Sequence, residues 1–368
     1  MRYIHIPLLL CLLTFSSISF GQTKAPKYSN DFLKIGVGAR AMAMGNAQVA
    51  IAEDVTAGYW NPAGLASPNS RMYPEVALLH AAYFANLANY NYLAFTMPID
   101  SAGKKRFGAS LIRLGIDDIP NTLDLVDETG YINLDRVTSF SASDFAAIFS
   151  YAWEPNFLDG LSLGANVKVI YRGVGRFANA WGIGLDIAAR YQIKRLKLGL
   201  VLYDATNTFN AWTFNTTTFE EAFANTGNVV PQNSVEYTRP SARLGLGYDF
   251  DFANRKLNLT LAFDNVFYFD GQRNTVISTK AMSIDPNFGL ELAYRNKNGH
   301  KIAFLRGGIY NIQDSFDSDG QATVGAFPTA GVGFAIKNFQ LDYALSNIGN
   351  LSENLHSHIV SAKFYIGN

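Results

Sequence analysis

Cysteine is nearly missing from this sequence: Cys11 is the single one in 368 residues. One cysteine excludes an intramolecular disulfide framework. Charge is scarce as well. Charged residues make up 16%, against roughly 25% in ordinary soluble domains. Thirty basic residues balance thirty acidic ones, which leaves no global attraction for nucleic acid, and no such partner is expected. So few charges also argue against disorder. Beyond residue 22 no window holds the roughly eighteen consecutive apolar residues of a spanning helix. What is plentiful is aromatic, with 27 Phe, 19 Tyr and 4 Trp. Mean hydropathy is nevertheless only +0.03. Much apolar surface must therefore lie somewhere other than a closed core.

The first residues read MRYIHIPLLLCLLTFSSISFGQ. Arg2 supplies a basic start, an apolar run extends from Ile6 to Phe15, and Ser17, Ser19 and Gly21 precede a plausible cut before Gln22. Residues 1–21 are expected to be a secretory signal peptide. The run is shorter than the ~20 residues of a membrane anchor. Cys11 lies within it and not at a lipoprotein cleavage point, so the exported chain is expected to have no cysteine.

Alternation dominates the chain beyond residue 70. In LSLGANVKVIYR, Leu161, Leu163, Ala165, Val167, Val169 and Tyr171 share one face, opposite Lys168 and Arg172. WGIGLDIAARY sets Trp181, Ile183, Leu185, Ile187 and Tyr191 against Asp186 and Arg190. ARLGLGYDF, KLNLTLAFDNVFYF and FQLDYALS repeat the pattern, with Arg243, Asp249, Lys256, Asp264 and Asp342 on the polar face. A period of two puts alternate side chains on opposite faces of a sheet. Soluble strands usually run about 5–6 residues, whereas membrane-crossing strands need roughly 9–11. These segments are of the longer kind. Trp153, Trp181, Tyr191, Phe269, Tyr294, Tyr310 and Phe364 cluster at their ends, where interfacial girdles of a membrane barrel would lie.

Fourteen strands are expected, near 73–84, 89–99, 107–117, 145–154, 161–173, 180–191, 196–203, 238–250, 256–269, 286–294, 301–310, 329–336, 339–346 and 357–366. Short connections alternate with long ones at 118–144, 204–237, 270–285 and 311–328. Outer-membrane barrels show this contrast between periplasmic turns and external loops. The fold class is thus all-β: a transmembrane antiparallel β-barrel of the bacterial outer membrane, its outer face in lipid. Both termini are expected to be periplasmic and the long loops extracellular.

Residues 22–70 do not alternate. They hold a short helical stretch around 31–44, many small residues and an Asn-Pro-Ala-Gly turn. Too apolar for a disordered tail, they are expected to form a plug inside a barrel spanning 71–368. The run Gly38-Ala39-Arg40-Ala41-Met42-Ala43-Met44-Gly45-Asn46-Ala47 precedes Glu53-Asp54 and Trp60-Asn61-Pro62-Ala63-Gly64-Leu65. It resembles the N-terminal signature of the PorV/PorQ family, outer-membrane barrels of Bacteroidetes distantly related to the FadL fatty-acid channels. The resemblance in residues covers about 30–66. It implies a plugged fourteen-strand barrel whose plug motif comprises Gly38, Arg40, Met44, Gly45, Asn61, Pro62 and Gly64. It also implies a part in type IX secretion, with the translocon or cargo bearing a C-terminal sorting domain as partner. Gly64-Leu65 is nearer the FadL form.

Catalytic and metal motifs are weak. His356 and His358 stand two apart with only Glu353 nearby, and Ser315–Ala326 lacks the final Glu of a calcium loop. No HExxH, GxSxG or Walker sequence occurs. A non-enzyme without cofactor or metal is expected. The inward charges Lys168, Arg172, Asp186, Arg190, Arg243 and Asp264, with Glu291, Arg306 and Lys363, mix both signs. They read either as a pairing network that holds the plug or as the wall of a selective channel, whose rings usually carry one sign. Phe209, Trp212, Phe214, Phe219 and Phe223 fall in the long connection 204–237. Such a loop either docks a partner, together with 118–144, or forms a lid over a pocket for a hydrophobic small molecule. Two functions are therefore open: a non-catalytic component of type IX secretion, or a FadL-like channel for fatty acids or other small hydrophobic compounds.

Overall fold

The computed structural model describes residues 29–68, 72–83, 87–125, 130–217, 219–220, 229, 231–316, 322–346 and 357–367. The expected signal peptide, Cys11, Phe223, His356 and the core of the calcium-like stretch lie outside the described residues.

Among the described residues, seventeen strand segments come after the plug. The first seven are β1 (Glu75–Tyr83), β2 (Ala88–Pro98), β3 (Lys105–Asn121), β4 (Thr138–Trp153), β5 (Leu161–Val174), β6 (Ala178–Ile193) and β7 (Leu196–Tyr203). Next come β8 (Thr208–Phe214), β9 (Ser234–Thr238), β10 (Ser241–Phe252), β11 (Leu257–Tyr268) and β12 (Ile277–Ser278). The last are β13 (Ser283–Arg295), β14 (Lys301–Phe316), β15 (Ala322–Ile336), β16 (Phe339–Ser346) and β17 (Ser357–Tyr365). β7 and β8 both pair with β6 and are two pieces of one stave. β9 and β10 pair with β8 and β7 in turn and form another. β12 is a two-residue partner of β13. The result is fourteen antiparallel staves. β17 closes on β1 from Glu75↔Tyr365 to Ala82↔His358. Closure leaves no free edge, which lipid would not tolerate.

The burial pattern is inverted relative to a soluble sheet. On β5, Val167 is 43% exposed while its neighbour Lys168 is 4% exposed. Leu244, Leu246, Tyr248 and Phe250 of β10 likewise face out, and Arg243 faces in. The apolar face is thus offered to lipid and the polar face to the lumen.

Several expected loops are strand. β3 runs to Asn121 and β4 starts at Thr138, so 118–144 contracts. β14 and β15 take up most of 311–328, and β8 and β9 take up both ends of 204–237. The turn residues Asp204 and Asn207, at positive φ, interrupt the seventh stave without ending it. Lys256 is exposed in a turn and faces no lumen. Tyr310, expected in a girdle, lines an internal cavity instead, beside a register shift in β14.

Residues 29–68 fill the lumen. A 3-10 turn (Asp31–Lys34), a short helix (Ala39–Ala43), a second (Ala57–Trp60) and a 3-10 turn (Pro62–Ala66) replace the single helical stretch expected around 31–44. Ser29 and Asn30 are buried against Thr238 and Asn210. The lumen-facing glycines explain how the plug fits. Gly164, Gly199, Gly245, Gly289, Gly308 and Gly331 are among the places where plug backbone or Ala43 touches the wall, and a side chain at any of them would collide with it. Close contact with the plug is the reason for these glycines. Gly45 answers from the plug side. Its φ is +58°, and a Cβ there would lie 2.6 Å from the carbonyl oxygens of Ile309 and Phe288.

Gly45→Ala should therefore destabilise the plugged barrel by about 1–3 kcal/mol. The temperature at which the compact band is lost on SDS gels should fall. Gly307→Ala should leave it unchanged, because the nearest atom to that Cβ is 3.8 Å away.

Candidate functional site: a latched plug between two chambers

Ion pairs tie the plug to staves on opposite sides of the barrel. Arg40 donates from Nε and Nη2 to both oxygens of Glu291, at 2.8 and 3.1 Å. Glu291 also binds Arg306 (2.7 Å), and Arg306 binds Asp342 (2.7 Å), so the chain of charge crosses β13, β14 and β16. On the adjoining stave β17, Lys363 meets Asp54 at 2.5 Å. Burial alone would push the Asp54 carboxyl up, but Lys363 and Arg40 overcome it and hold Asp54 well below the usual carboxylate range. Arg190 and Lys197 both reach Glu53. Asp264 accepts the plug backbone N–H groups of Gln48 (2.8 Å) and Val49 (3.0 Å), and Arg243 stands 3.6 Å from it.

The remaining motif residues shape the plug. Gly38, at φ +85°, opens the first helix, and its carbonyl accepts from Met42. Met44 is fully buried. Asn61 Oδ1 accepts from Ala63 N–H at 3.1 Å, with Pro62 leading the 3-10 turn, while Asn61 Nδ2 donates to the Val49 carbonyl at 2.7 Å. A side chain at Gly64 would strike the Ala52 carbonyl.

The latched plug divides the lumen. At the short-turn end is a charged space of about 720 Å³, lined by Arg40, Glu53, Asp54, Lys197, Glu291 and Lys363 among others. At the long-loop end is a chamber of about 820 Å³. Its walls are largely apolar: Leu33, Ile35 and Met42 from the plug, Tyr83, Leu114, Val266, Tyr268 and Tyr310 from the staves. Above it, at the barrel mouth, an apolar cleft of about 660 Å³ lies between Phe140, Val174, Phe177, Trp212, Phe214 and Phe219. Phe140 and Phe177 meet edge to face at 4.9 Å, and Phe219 packs on Phe177 at 5.7 Å.

Sequence reasoning finds the charges but not all their partners. Lys168 pairs with Asp186 (2.7 Å) and with Asp204 (2.6 Å). Arg172 does not join the plug network. It pairs with Asp144 and Glu236 and lies over the Trp212 ring, 5.2 Å from its centre, at the cleft. Of the aromatics in 204–237, Trp212 and Phe214 are strand residues, and Trp212 donates from Nε1 to Glu236 at 2.7 Å. Phe209 faces outward, 48% exposed. His358 also faces outward and meets the Tyr343 hydroxyl. No group of three metal-ligating side chains occurs among the described residues. Leu33, Met42, Tyr83, Leu114 and Tyr268 are chamber residues that no sequence motif announces. They come from five separate segments, and only the lumen-side alternation of their strands marks some of them.

A family model described as "Uncharacterised protein family (UPF0164)" matches residues 15–184. No curated protein matches the chain. Among solved structures, the toluene transporter TbuX of Ralstonia pickettii is 16% identical, with 90% of this chain and 98% of that chain covered and a TM-score of 0.52. The toluene transporter TodX of Pseudomonas putida is 13% identical over 90% and 98%, at 0.53. A FadL homologue of Pseudomonas aeruginosa is 12% identical over 94% and 99%, at 0.50. The shared feature is the fold, that of FadL-type outer-membrane barrels. None of these matches carries the PorV/PorQ reading or type IX secretion.

Glu291→Leu should cost about 3–5 kcal/mol, because it strands Arg40 in the lumen. Arg40→Met should cost less, since Glu291 keeps Arg306. Protease access to the plug from the short-turn end measures both, and the reverse order would contradict the latch.

Proposed function

We propose that this chain is a non-enzymatic channel of the bacterial outer membrane that admits small hydrophobic molecules from the long-loop end. The observation that carries it is the chamber of about 820 Å³, whose exposed wall is mostly apolar although the paired cations Lys34, Lys168, Arg243 and Arg273 also line it. A lumen that only had to be filled would not leave such a space beside Met42, Leu114 and Tyr310. The aromatic cleft at the mouth supplies a first stop for an apolar molecule leaving water. The plug latches then hold the route closed until the plug shifts. TbuX and TodX are toluene transporters, and that points the same way. In this reading the long loops face outside, the short turns face the periplasm, and residues 1–21 direct export.

The secretion reading draws its docking surface from an exposed aromatic loop. Trp212 and Phe214 sit in a paired strand, and Trp212 is engaged by Arg172 and Glu236. That leaves a smaller docking surface than a free loop would offer, and the channel reading is preferred.

Leu114→Trp should narrow the chamber and lower uptake of labelled hexylbenzene by intact cells, with the heat-modifiable compact band retained. Wild-type uptake no faster than that of cells lacking the protein would contradict the proposal.

A further inference from the structure

One sector of the outer wall departs from the rest. On β5, Leu161, Leu163, Ala165, Val167, Val169 and Tyr171 face lipid in unbroken succession, and β6 does the same from Trp181 to Tyr191. Such runs suit the roughly 25 Å apolar band of a membrane barrel. On β1 the run stops after Val76 and Leu78, where His80 faces out. On β2, Met97, Phe95 and Leu93 give way to Asn91 and Asn89, and on β3 Leu111 gives way to Arg113. The wall is also low here. β1, β16 and β17 are 9, 8 and 9 residues long, against 14 and 16 for β5 and β6.

The polar side chains of this sector are neighbours. His80, Asn91 and Arg113 stand in one register row across three staves. His80 Nδ1 lies 2.8 Å from Asn91 Oδ1. An amide oxygen only accepts, so the ring donates and the Asn91 N–H groups stay open. Arg113 lies over the Phe145 ring, 5.8 Å from its centre, and gives Ser143 Oγ one long bond of 3.4 Å. A Cβ at Gly115 would lie 2.8 Å from Arg113 Nη2, so the guanidinium extends over Gly115 toward the long-loop end. Asn89 is the cross-strand partner of Gly115 and therefore flanks it. Among the described residues Arg113 has no carboxylate partner, and no other charged side chain faces outward from within the apolar band. An unanswered charge on a lipid-facing wall is costly and marks a site.

The patch offers a cation and amide donors, and no acid. A second copy docked on the same face would set Arg113 against Arg113 with nothing to neutralise either. Lipid lies against this wall, and the lipid group that brings negative charge and several acceptors is phosphate, which a guanidinium fork binds well. We propose that β1–β3 seat the phosphorylated headgroup of a lipid in the leaflet at the long-loop end, with one phosphate held by Arg113 and the amides of Asn89 and Asn91. The low wall lets that headgroup settle deeper than it does beside β5 and β6. The channel reading supplies the orientation that makes this the outer leaflet; the seat itself stands on the wall alone.

The test uses the full exported chain in mild detergent, incubated with bisphosphorylated lipid A or with the same lipid stripped of its phosphates. Retained lipid is read by native mass spectrometry. The barrel should hold one bisphosphorylated lipid, and retention should be at least tenfold lower for the stripped lipid and for Arg113→Leu. Arg113→Lys, which keeps the charge and loses the fork, should fall between Arg113→Leu and the wild type. The compact band on SDS gels confirms the fold of each variant. Equal retention of the two lipids, or retention unchanged by Arg113→Leu, overturns the seat and leaves the channel reading standing. So does a second protein, or a second copy, that leaves with Arg113→Leu while no lipid is held. Hexylbenzene uptake no faster than in cells lacking the protein removes the channel reading and leaves the seat intact.

Discussion

Backbone touches backbone where the plug meets the wall. At Gly45 against Ile309 and Phe288, and where the plug meets Gly164, Gly199 and Gly308, no side chain separates the two. Much else depends on this contact. Lipid requires a closed sheet with its polar groups inward. A lumen of fourteen staves is then lined with polar groups that need partners. The plug provides them only if it comes close enough for Asp264 to accept from Gln48 and Val49, and for Arg40 to reach Glu291. The buried charges of the latch are tolerated because they pair with one another. Removing one partner is what would be expensive.

The same arrangement makes the lumen lopsided. Latches gather toward the short-turn end, where Glu53, Asp54 and Glu291 meet Arg40, Arg190, Lys197 and Lys363. Toward the long-loop end the plug presents Leu33, Ile35 and Met42. One side of the plug is therefore a fastening and the other an apolar floor. An apolar floor beneath a wide mouth, with an aromatic cleft beside it, suits a molecule that water rejects. The charged space below suits a barrier that opens only when ion pairs rearrange.

Much of this is legible in the sequence, and the limits have physical causes. Alternation such as Val167-Lys168-Val169 marks a membrane stave directly, because lipid and lumen impose opposite demands on neighbours. Above the lipid that demand fades. Asp204-Ala205-Thr206-Asn207 reads as the start of a loop, yet the chain pauses and resumes the same stave at Thr208. The charges Lys168, Asp186, Arg190, Arg243 and Asp264 are visible as inward-facing. Lys168 with Asp186 and Arg243 with Asp264 pair within that set, but Glu53, which Arg190 reaches, lies far away in the plug. The chamber leaves little local mark beyond the alternation of the strands that line it. Tyr310 looks like a girdle aromatic but turns inward beside a register shift. Such a site exists only once the plug and the staves come together.

The central claim is that an apolar molecule occupies the space above the latched plug. Crystals of the protein soaked with bromobenzene would test it through the anomalous signal of bromine. A peak is expected inside the barrel, between Met42, Leu114 and Tyr310. Peaks confined to the outer, lipid-facing surface, with the chamber holding only water, would contradict it.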